Sequence, residues 1–475
     1  KKLSHALSGK GACALFGLPA SGRAQVYAAL CRQLDKPLCI VTPGEAEATR
    51  FAADLNTLGI PAAVFPARDY VLRPIEGTAR EYEYRRLAVL GELVGGRLRA
   101  VAVPAEALTQ FTTPKEDFCA NTRTLHAGDT LLRDDLLAAL FGAGYTRRAQ
   151  VDGPGQFSVR GDIVDIFAPD QKMPVRMEFW GDEIDTLHTF DLTTQRREDA
   201  IDKFYLSPAR EVLFGKPADA AEQLRAFLAK QRGKKKTAMA DCMAADLDLL
   251  DGGAVPVNMD KYLAVRYPHP ATVLDYFDDP ILVAEEPASI READRATAYR
   301  RGEELKSLIL DGVLCAGLDN LYADPSYLWS KTGHYRTICA ENFARSMPDQ
   351  PLKDIINAPA HTLPAWNGEV AGLLEDLKPL CDAGYTVTLL AGTDRAAAGL
   401  ARDLRDKGIL VTTDAEAAPA AGLVQVLAGH LSAGCEFPFA KYALLTGRAF
   451  GETSSQKKKR KKAKDALNSL TEITP

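Results

Sequence analysis

The chain has 475 residues, enough for three or four domains at about 100–200 residues each. Its composition, 46% hydrophobic and 25% charged, is that of a globular protein, and no run of 18 apolar residues predicts a membrane span. The net charge is −5, but residues 457–464 carry seven positive charges, so the other residues sum to −12 and lack the broad basic surface that DNA binding needs. Nine cysteines without a C-x-x-C pair, and a start at residues 1–4 without a hydrophobic signal core, favour a reducing cytoplasm.

The first hundred residues alternate short apolar runs with helical patterns, an order that predicts a parallel sheet covered by helices. The predicted strands are 12–16, 37–42, 62–65 and 97–103, and the predicted helices are 24–34 and 46–58. From about residue 115 the pattern changes to strands of period two, separated by proline and glycine clusters at 152–155 and 181–183. We therefore predict a small, mostly antiparallel insert.

The rest of the chain returns to helical patterns from about residue 210 and reaches an apolar strand at 280–284. A further α/β unit is predicted from near Leu352, with helices 370–381 and 395–407, strands 386–390 and 422–426, and helix ends at Gly384 and Gly408. The fold class is thus α/β, and the last twenty or so residues are a basic, solvated linker. The expected division is 1–114 and 210–349 for one split α/β unit, 115–209 for the β-rich insert, 350–453 for a small separate α/β unit and 454–475 for the linker.

Residues 17–24 have the spacing of the phosphate-binding loop G-x-x-x-x-G-K-[ST], between a predicted strand and a predicted helix. The residues that carry its chemistry differ, because Arg23 replaces the lysine and Ala24 replaces the hydroxyl residue that would hold magnesium. The glycines of the motif remain, Gly17 and Gly22. We therefore predict a degenerate RecA-like loop without a bound cofactor or metal and without ATP turnover. Glu285 and Glu286 follow a strand either as a Walker B acid would or as ordinary strand-end acids, and the sequence leaves both interpretations open.

A second candidate site lies in the insert, where alternate residues of a strand point to opposite faces. In strand 175–180, one face carries Val175, Met177 and Phe179, and the other carries Arg176, Glu178 and Trp180. In strand 157–160, Phe157 and Val159 point to the core and Arg160 to solvent, and Gly161 suggests a bulge that resets the register. Two arginines beside an exposed large aromatic side chain are typical of protein-binding hot spots. The alternative is that Trp180 stacks on Arg176 and folds back on the sheet.

These residues lie in two stretches, 157–169 and 175–185, that resemble the second domain of the UvrB family. The same module of the transcription-repair coupling factor (Mfd) family is more similar still, over nearly the whole chain. The similar motifs include the degenerate loop, Phe65-Pro66 with the helix at 82–87, and the region from 431–435 to 450–451. Two features depart from UvrB itself: the phosphate loop is not intact, and the stretch from Pro66 to Arg86 is too short for the long hairpin with which UvrB grips damaged DNA.

The resemblance implies a UvrB-like arrangement of domain 1A at 1–114, a UvrA-interacting domain 2 at 115–209 and domain 1B at 210–349, followed by a third domain and a tether. It implies that Arg160, Arg176 and Trp180 bind UvrA in imitation of UvrB, although the family commonly has phenylalanine at the last position. The segment would then be a non-catalytic module of the bacterial cytoplasm. It would recruit UvrA to stalled RNA polymerase in transcription-coupled nucleotide excision repair.

Other functions of a complete family member are expected to reside outside this chain. The resemblance implies an RNA polymerase-interacting domain, and a helicase motor that uses ATP and magnesium and contacts DNA. It also implies a resting state in which a C-terminal domain covers the UvrA-binding face. The alternative function is a UvrB-like ATP-dependent helicase or damaged-DNA-binding enzyme, which needs lysine and serine or threonine at positions 23 and 24, a hairpin after Pro66 and a basic groove. A third interpretation is DNA binding by the lysine-rich tail, although such charge runs are more often solvated linkers.

Overall fold

The computed structural model describes residues 2–75, 79–343, 350–366, 370–418 and 420–447. The predicted linker at 454–475 and the motif end at 450–451 lie outside the described residues. Within the described part, no helix combines the length and the apolar character needed to cross a membrane. The same residues contain no group of three or more His, Cys, Asp or Glu side chains placed to hold a metal ion.

The first segment alternates strands and helices, as predicted. Its elements are α1 (Lys2–Ala6), β1 (Gly11–Phe16), α2 (Ala20–Leu34), β2 (Leu38–Thr42), α3 (Glu45–Thr57), β3 (Ala62–Val64), α4 (Glu81–Val94), β4 (Ala100–Pro104) and α5 (Ala105–Leu108). Strands β2 and β4 are buried at every residue and β1 at its four central residues. Helices cover both faces of a parallel sheet, which explains why these strands are uninterrupted apolar runs in the sequence.

The insert is mostly antiparallel, as predicted. Its elements are α6 (Lys115–Ala120), β5 (Arg123–His126), α7 (Arg133–Gly142), β6 (Thr146–Arg147), β7 (Gln156–Arg160), β8 (Ile163–Phe167), β9 (Val175–Trp180), β10 (Glu183–Phe190), β11 (Arg197–Ala200) and β12 (Lys203–Leu206). Six strands form one sheet in the order β11-β10-β9-β8-β7-β6, in which only the short β6 pairs in parallel. Strands β5 and β12 form a separate antiparallel pair.

The third segment returns to the first sheet. Its elements are α8 (Pro217–Ala229), α9 (Gly233–Asp251), α10 (Leu263–Arg266), β13 (Ile281–Glu285), α11 (Pro287–Leu310), α12 (Tyr327–Lys331), β14 (Arg336–Glu341) and β15 (Leu352–Asn357). The seven-stranded parallel sheet has the order β15-β1-β14-β13-β2-β4-β3, so segments from both sides of the insert build one sheet. One element differs from the sequence prediction: β15, expected to begin the last α/β unit, instead pairs with β1 at the edge of this sheet.

The last segment forms a second α/β unit around a mixed sheet. Its elements are β16 (His361–Leu363), α13 (Val370–Asp382), β17 (Thr386–Leu390), α14 (Asp394–Asp406), β18 (Val411–Thr412), β19 (Val424–Leu427), β20 (Gly434–Phe437) and β21 (Tyr442–Thr446). The strand order is β16-β20-β21-β17-β19-β18. Gly384 and Gly408 have φ of +77° and +80° just after α13 and α14, the left-handed conformation that commonly ends a helix.

The last unit packs directly on helix α3 of the first segment. The carboxylate of Asp54 accepts hydrogen bonds from the backbone N–H of Ser432 at 2.8 Å and from its hydroxyl at 2.6 Å. One helical turn further, the hydroxyl of Thr57 donates to the carbonyl of His430 at 2.8 Å. The following strand, β20, lies against helix α2 of the first segment.

A buried ionic network joins the segments before and after the insert. Arg68 pairs with Asp260 at 2.7 Å and with Glu211 at 3.2 Å, and Arg86 pairs with the other oxygen of Glu211 at 2.5 Å. Glu83 is almost fully buried and lies 4.0 Å from Arg68 and 2.8 Å from Arg80. The cationic and anionic groups of this network neutralise one another within the protein, as buried charges must.

Candidate functional site

The antiparallel register of the insert sheet determines which side chains share its polar face. Four residues lie opposite one another on adjacent strands β7, β8, β9 and β10: Ser158, Asp165, Arg176 and His188. The other face carries the buried apolar residues of the same strands, Phe157, Val164, Met177 and Leu187, which pack beneath α7. The alternation predicted for strand β9 is therefore confirmed: its apolar residues face this core and its polar residues face the opposite side.

Asp165 is the centre of the polar face, and its side chain is fully buried. One carboxylate oxygen accepts a hydrogen bond from Nε of Arg176 at 2.7 Å. The other oxygen accepts two, from Nη2 of Arg176 at 3.0 Å and from Nη2 of Arg160 at 2.6 Å. One carboxylate thus holds both predicted arginines, and the cluster keeps one positive charge in excess.

The guanidinium of Arg176 is largely occupied within the protein. Besides its two bonds to Asp165, it donates from Nη1 to the carbonyl of Gln195 at 3.2 Å. Its Cζ lies 4.7 Å from the ring centre of Phe190, a cation–π distance. The hydrogen bonds to Asp165 raise the pKa of Arg176, so this side chain stays charged. With 11% of its side chain exposed, Arg176 supports the face from below.

Arg160 and Trp180 are the exposed members of the face. The side chain of Arg160 is 47% exposed, and Trp180 is 82% exposed. The alternative in which Trp180 folds back on Arg176 is wrong, because the tryptophan is open to solvent and the arginine lies over Phe190 instead. Both exposed residues end strands that run in the same direction, so they lie at the same end of the sheet, with β8 between them and about 10 Å between their strands.

Both strands end in the same kind of turn. Arg160 pairs with Ile163 across a two-residue turn at Gly161, and Trp180 pairs with Glu183 across a matching turn at Gly181. The glycines have φ of +60° and +63°, a conformation that L side chains rarely adopt. The bulge expected at Gly161 is thus wrong. A glycine between two apolar runs fits a bulge or a hairpin turn equally well, and here it makes the turn that holds Arg160 at the strand end.

The glycine loop forms a second arginine–carboxylate cluster, which is closed. Arg23, in the second turn of α2, is almost fully buried and lies 3.1 Å from Glu285 and 2.9 Å from Glu286. Tyr27 also donates a hydrogen bond to Glu285. Burial raises the pKa of Glu285, an effect that the charge of Arg23 opposes. The two acids whose role the sequence left open therefore pair with Arg23.

The last α/β unit covers this loop. The hydroxyl of Ser21 donates to the carbonyl of Gly434 in β20 at 3.3 Å. A Cβ atom added to Gly22 would lie 2.8 Å from the sulfur of Cys435, and one added to Gly17 would lie 2.8 Å from Oδ1 of Asn357. A phosphate would need the space over these glycines, because such loops bind phosphate by close approach of their backbone. Here the protein's own chain fills that space.

Sequence comparisons relate the insert, and the chain as a whole, to known proteins. Residues 124–212, which contain the whole polar face, match the family described as the UvrB interaction domain. Over 94% of its length, the chain is 26% identical to the transcription-repair-coupling factor of Bacillus subtilis (strain 168), and over 95% it is 25% identical to that of Staphylococcus haemolyticus (strain JCSC1435). These matches confirm the resemblance to this family that the motifs indicated. The chain spans 39% of the length of these curated relatives.

Asp165 is the member of this cluster that the sequence did not point to. The sequence did contain a clue, because Asp165 is an acid within the apolar run Ile163–Phe167, and a buried acid needs a charged or hydrogen-bonding partner. What the sequence did not provide was the register, because Asp165 faces Arg176 only through the pairing of β8 with β9.

Proposed function

We propose that this chain is a non-catalytic recruitment module, the N-terminal part of a transcription-repair coupling factor, and that the polar face of its insert binds UvrA in place of UvrB. The observation that carries the proposal is Trp180, 82% exposed on the polar side of a sheet. On the same face, the side chain of Arg160 is about half exposed to solvent. The match of residues 124–212 to an interaction domain supports a binding role for this part of the chain.

The two exposed residues supply complementary interactions. A tryptophan buried on binding removes a large apolar area from water and commonly carries much of the affinity of an interface. An arginine that donates to a partner carboxylate sets the orientation, because charge-assisted hydrogen bonds are directional. Arg176 completes the face by supporting Asp165. The complementary surface of UvrA is therefore an apolar pocket with an acidic group about 10 Å away.

The glycine loop is proposed to be a degenerate phosphate loop of a split UvrB-like unit formed by domains 1A and 1B. In place of the charges that stabilise phosphoryl transfer, it has an internal ion pair between Arg23 and the acids after β13. The module itself then performs no ATP hydrolysis. In a complete relative, a motor outside this chain would use ATP to displace stalled RNA polymerase from DNA, and this module would deliver the repair machinery.

The proposal is tested by a pull-down of purified UvrA with the wild-type chain and with the Arg176→Ala and Trp180→Ala variants. We expect the wild type to retain UvrA and both variants to lose most of it. Equal retention by all three proteins would overturn the assignment of the face. Failure of the folded wild type to retain UvrA would overturn the function itself.

A further inference from the structure

We propose that Asp165 is the positioning residue of the binding face and that it gives the two arginines different roles. In this inference, which rests on the proposed function, Arg176 is a support that the partner never reaches. Arg160 is the cation that the partner contacts, and the matching group on the partner is a carboxylate. The two arginines are therefore not equivalent, although the sequence alone presents them as a pair.

The use of hydrogen-bond donors distinguishes the two arginines. Arg176 donates from Nε, Nη1 and Nη2, and the acceptors are Asp165 and the carbonyl of Gln195. Among the described residues, Asp165 is the one hydrogen-bond acceptor of the Arg160 side chain, and the donor atom is Nη2. The N–H groups of Nε and Nη1 therefore remain available to donate hydrogen bonds to a partner. About half of the Arg160 side chain is exposed to solvent, where a partner can reach it.

The charge balance points to the chemistry of the partner group. One buried carboxylate faces two guanidinium groups, which leaves one positive charge, and the more exposed of the two arginine side chains is that of Arg160. Asp165 itself is fully buried and cannot contact a partner. Its contribution is to hold Arg160 in one direction before binding, which lowers the conformational entropy lost when the partner carboxylate docks.

The division of roles can be tested without UvrA, by modifying the folded chain with phenylglyoxal and measuring each arginine by mass spectrometry. In the wild type we expect Arg160 to react and Arg176 to be protected at least tenfold. Equal reaction rates at the two arginines would overturn the inference. In the Asp165→Asn variant the protection of Arg176 should fall. The control is Asp162→Asn, which removes the same charge from the exposed turn next to Arg160 and should leave the protection unchanged.

The positioning role is then tested with UvrA by a double-mutant cycle. We expect Asp165→Asn and Arg160→Ala each to weaken binding about tenfold or more, and the double variant to bind no more weakly than Arg160→Ala alone. A residue with only a structural role would give effects that multiply, and that result would overturn the inference while leaving the proposed function in place. Absence of binding by the wild type would overturn the proposed function, and the modification pattern would still decide the roles of the arginines.

Discussion

The glycine loop and the insert face both contain arginines paired with carboxylates, but in opposite proportions. At the loop, the buried Arg23 faces two carboxylates, the buried Glu285 and the partly exposed Glu286, and the neighbouring Ser21 contacts β20. On the face, two arginines share the single carboxylate of Asp165, and one of them extends into solvent. The two clusters thus differ in their proportion of charges and in the exposure of the outermost group, and the proposed function assigns partner binding to the one with the exposed arginine.

The neighbouring residues reinforce this difference. Around the loop, the added contacts come from the chain itself: Tyr27 binds Glu285, and Cys435 lies against Gly22. Around the face, the nearest added feature is Trp180, a large apolar side chain that nothing in the described chain covers. An exposed aromatic ring beside an arginine is typical of protein-binding surfaces, which is why we propose that role for the insert face and not for the loop cluster.

The largest expected effect comes from opening the closed cluster with Arg23→Ala. Removing one partner of a buried ion pair leaves its carboxylates unneutralised, so we expect the free energy of unfolding to fall by about 3–5 kcal/mol. Urea denaturation followed by circular dichroism measures the change. The matched control is Arg225→Ala, which breaks the exposed ion pair with Asp251 and should cost less than about 1 kcal/mol. Equal stability of the two variants would show that the loop cluster is not closed.

The ionic network around Glu83 is a second closed cluster, and it should respond to acid. Burial raises the pKa of this carboxyl, but the charges of Arg68, Arg210 and Arg80 outweigh burial and lower the pKa from 4.5 to about 2. Because the folded-state pKa is the lower one, the stabilisation is present above about pH 4.5 and is lost as the pH falls toward 2.

This pH dependence should be reduced in the Glu83→Gln variant. We expect the wild-type free energy of unfolding to fall more steeply than that of the variant between pH 4.5 and the pKa of about 2. Glu303→Gln, a change of an exposed acid paired with Lys306, serves as the control and should follow the wild type. If the free energy of unfolding depended on pH in the same way for the wild type and for Glu83→Gln, the lowered pKa of Glu83 would be contradicted.

On the open cluster, Trp180→Ala should weaken binding without affecting the fold. Loss of a hot-spot aromatic costs about 2 kcal/mol or more, which raises the Kd for UvrA about 30-fold. The free energy of unfolding should stay within about 0.5 kcal/mol of the wild type, since the ring makes few internal contacts. Phe439→Ala, which removes another exposed aromatic from the last α/β unit, is the control and should leave the Kd unchanged. A loss of binding matched by a loss of stability would contradict an open, preformed face.

The smallest effect is expected from restoring the phosphate-loop residues, which should leave nucleotide binding unchanged. The double substitution Arg23→Lys and Ala24→Thr restores the sequence of a phosphate loop, but the space over Gly17 and Gly22 remains filled by Asn357 and Cys435. We therefore expect no binding of a fluorescent ATP analogue by the wild type or by the double variant. Magnesium-dependent ATP hydrolysis by the wild type that is lost on mutating Arg23 would contradict the closed loop.

The sequence predicted the part of each region that depends on local pattern. Period-two alternation indicated the faces of β9, and the change from an apolar run to a helical pattern indicated the strand and helix on either side of the glycine loop. The sequence could not predict the ion pairs, because they depend on tertiary structure: Arg23 meets Glu285 only because β13 lies close to β1 in the first sheet. Asp165 was missed for the same reason, since strand register brings it to Arg176.

The difference between the insert face and the glycine loop is tested most directly by hydrogen–deuterium exchange of the intact chain with and without purified UvrA. We expect UvrA to slow exchange in peptides covering 156–163 and 175–183, which contain the two strand ends of the insert face. We expect no change in the exchange of peptides covering 17–24, which contain the glycine loop. Slower exchange in the loop, or exchange in the insert that UvrA does not alter, would contradict the proposed division between the two clusters.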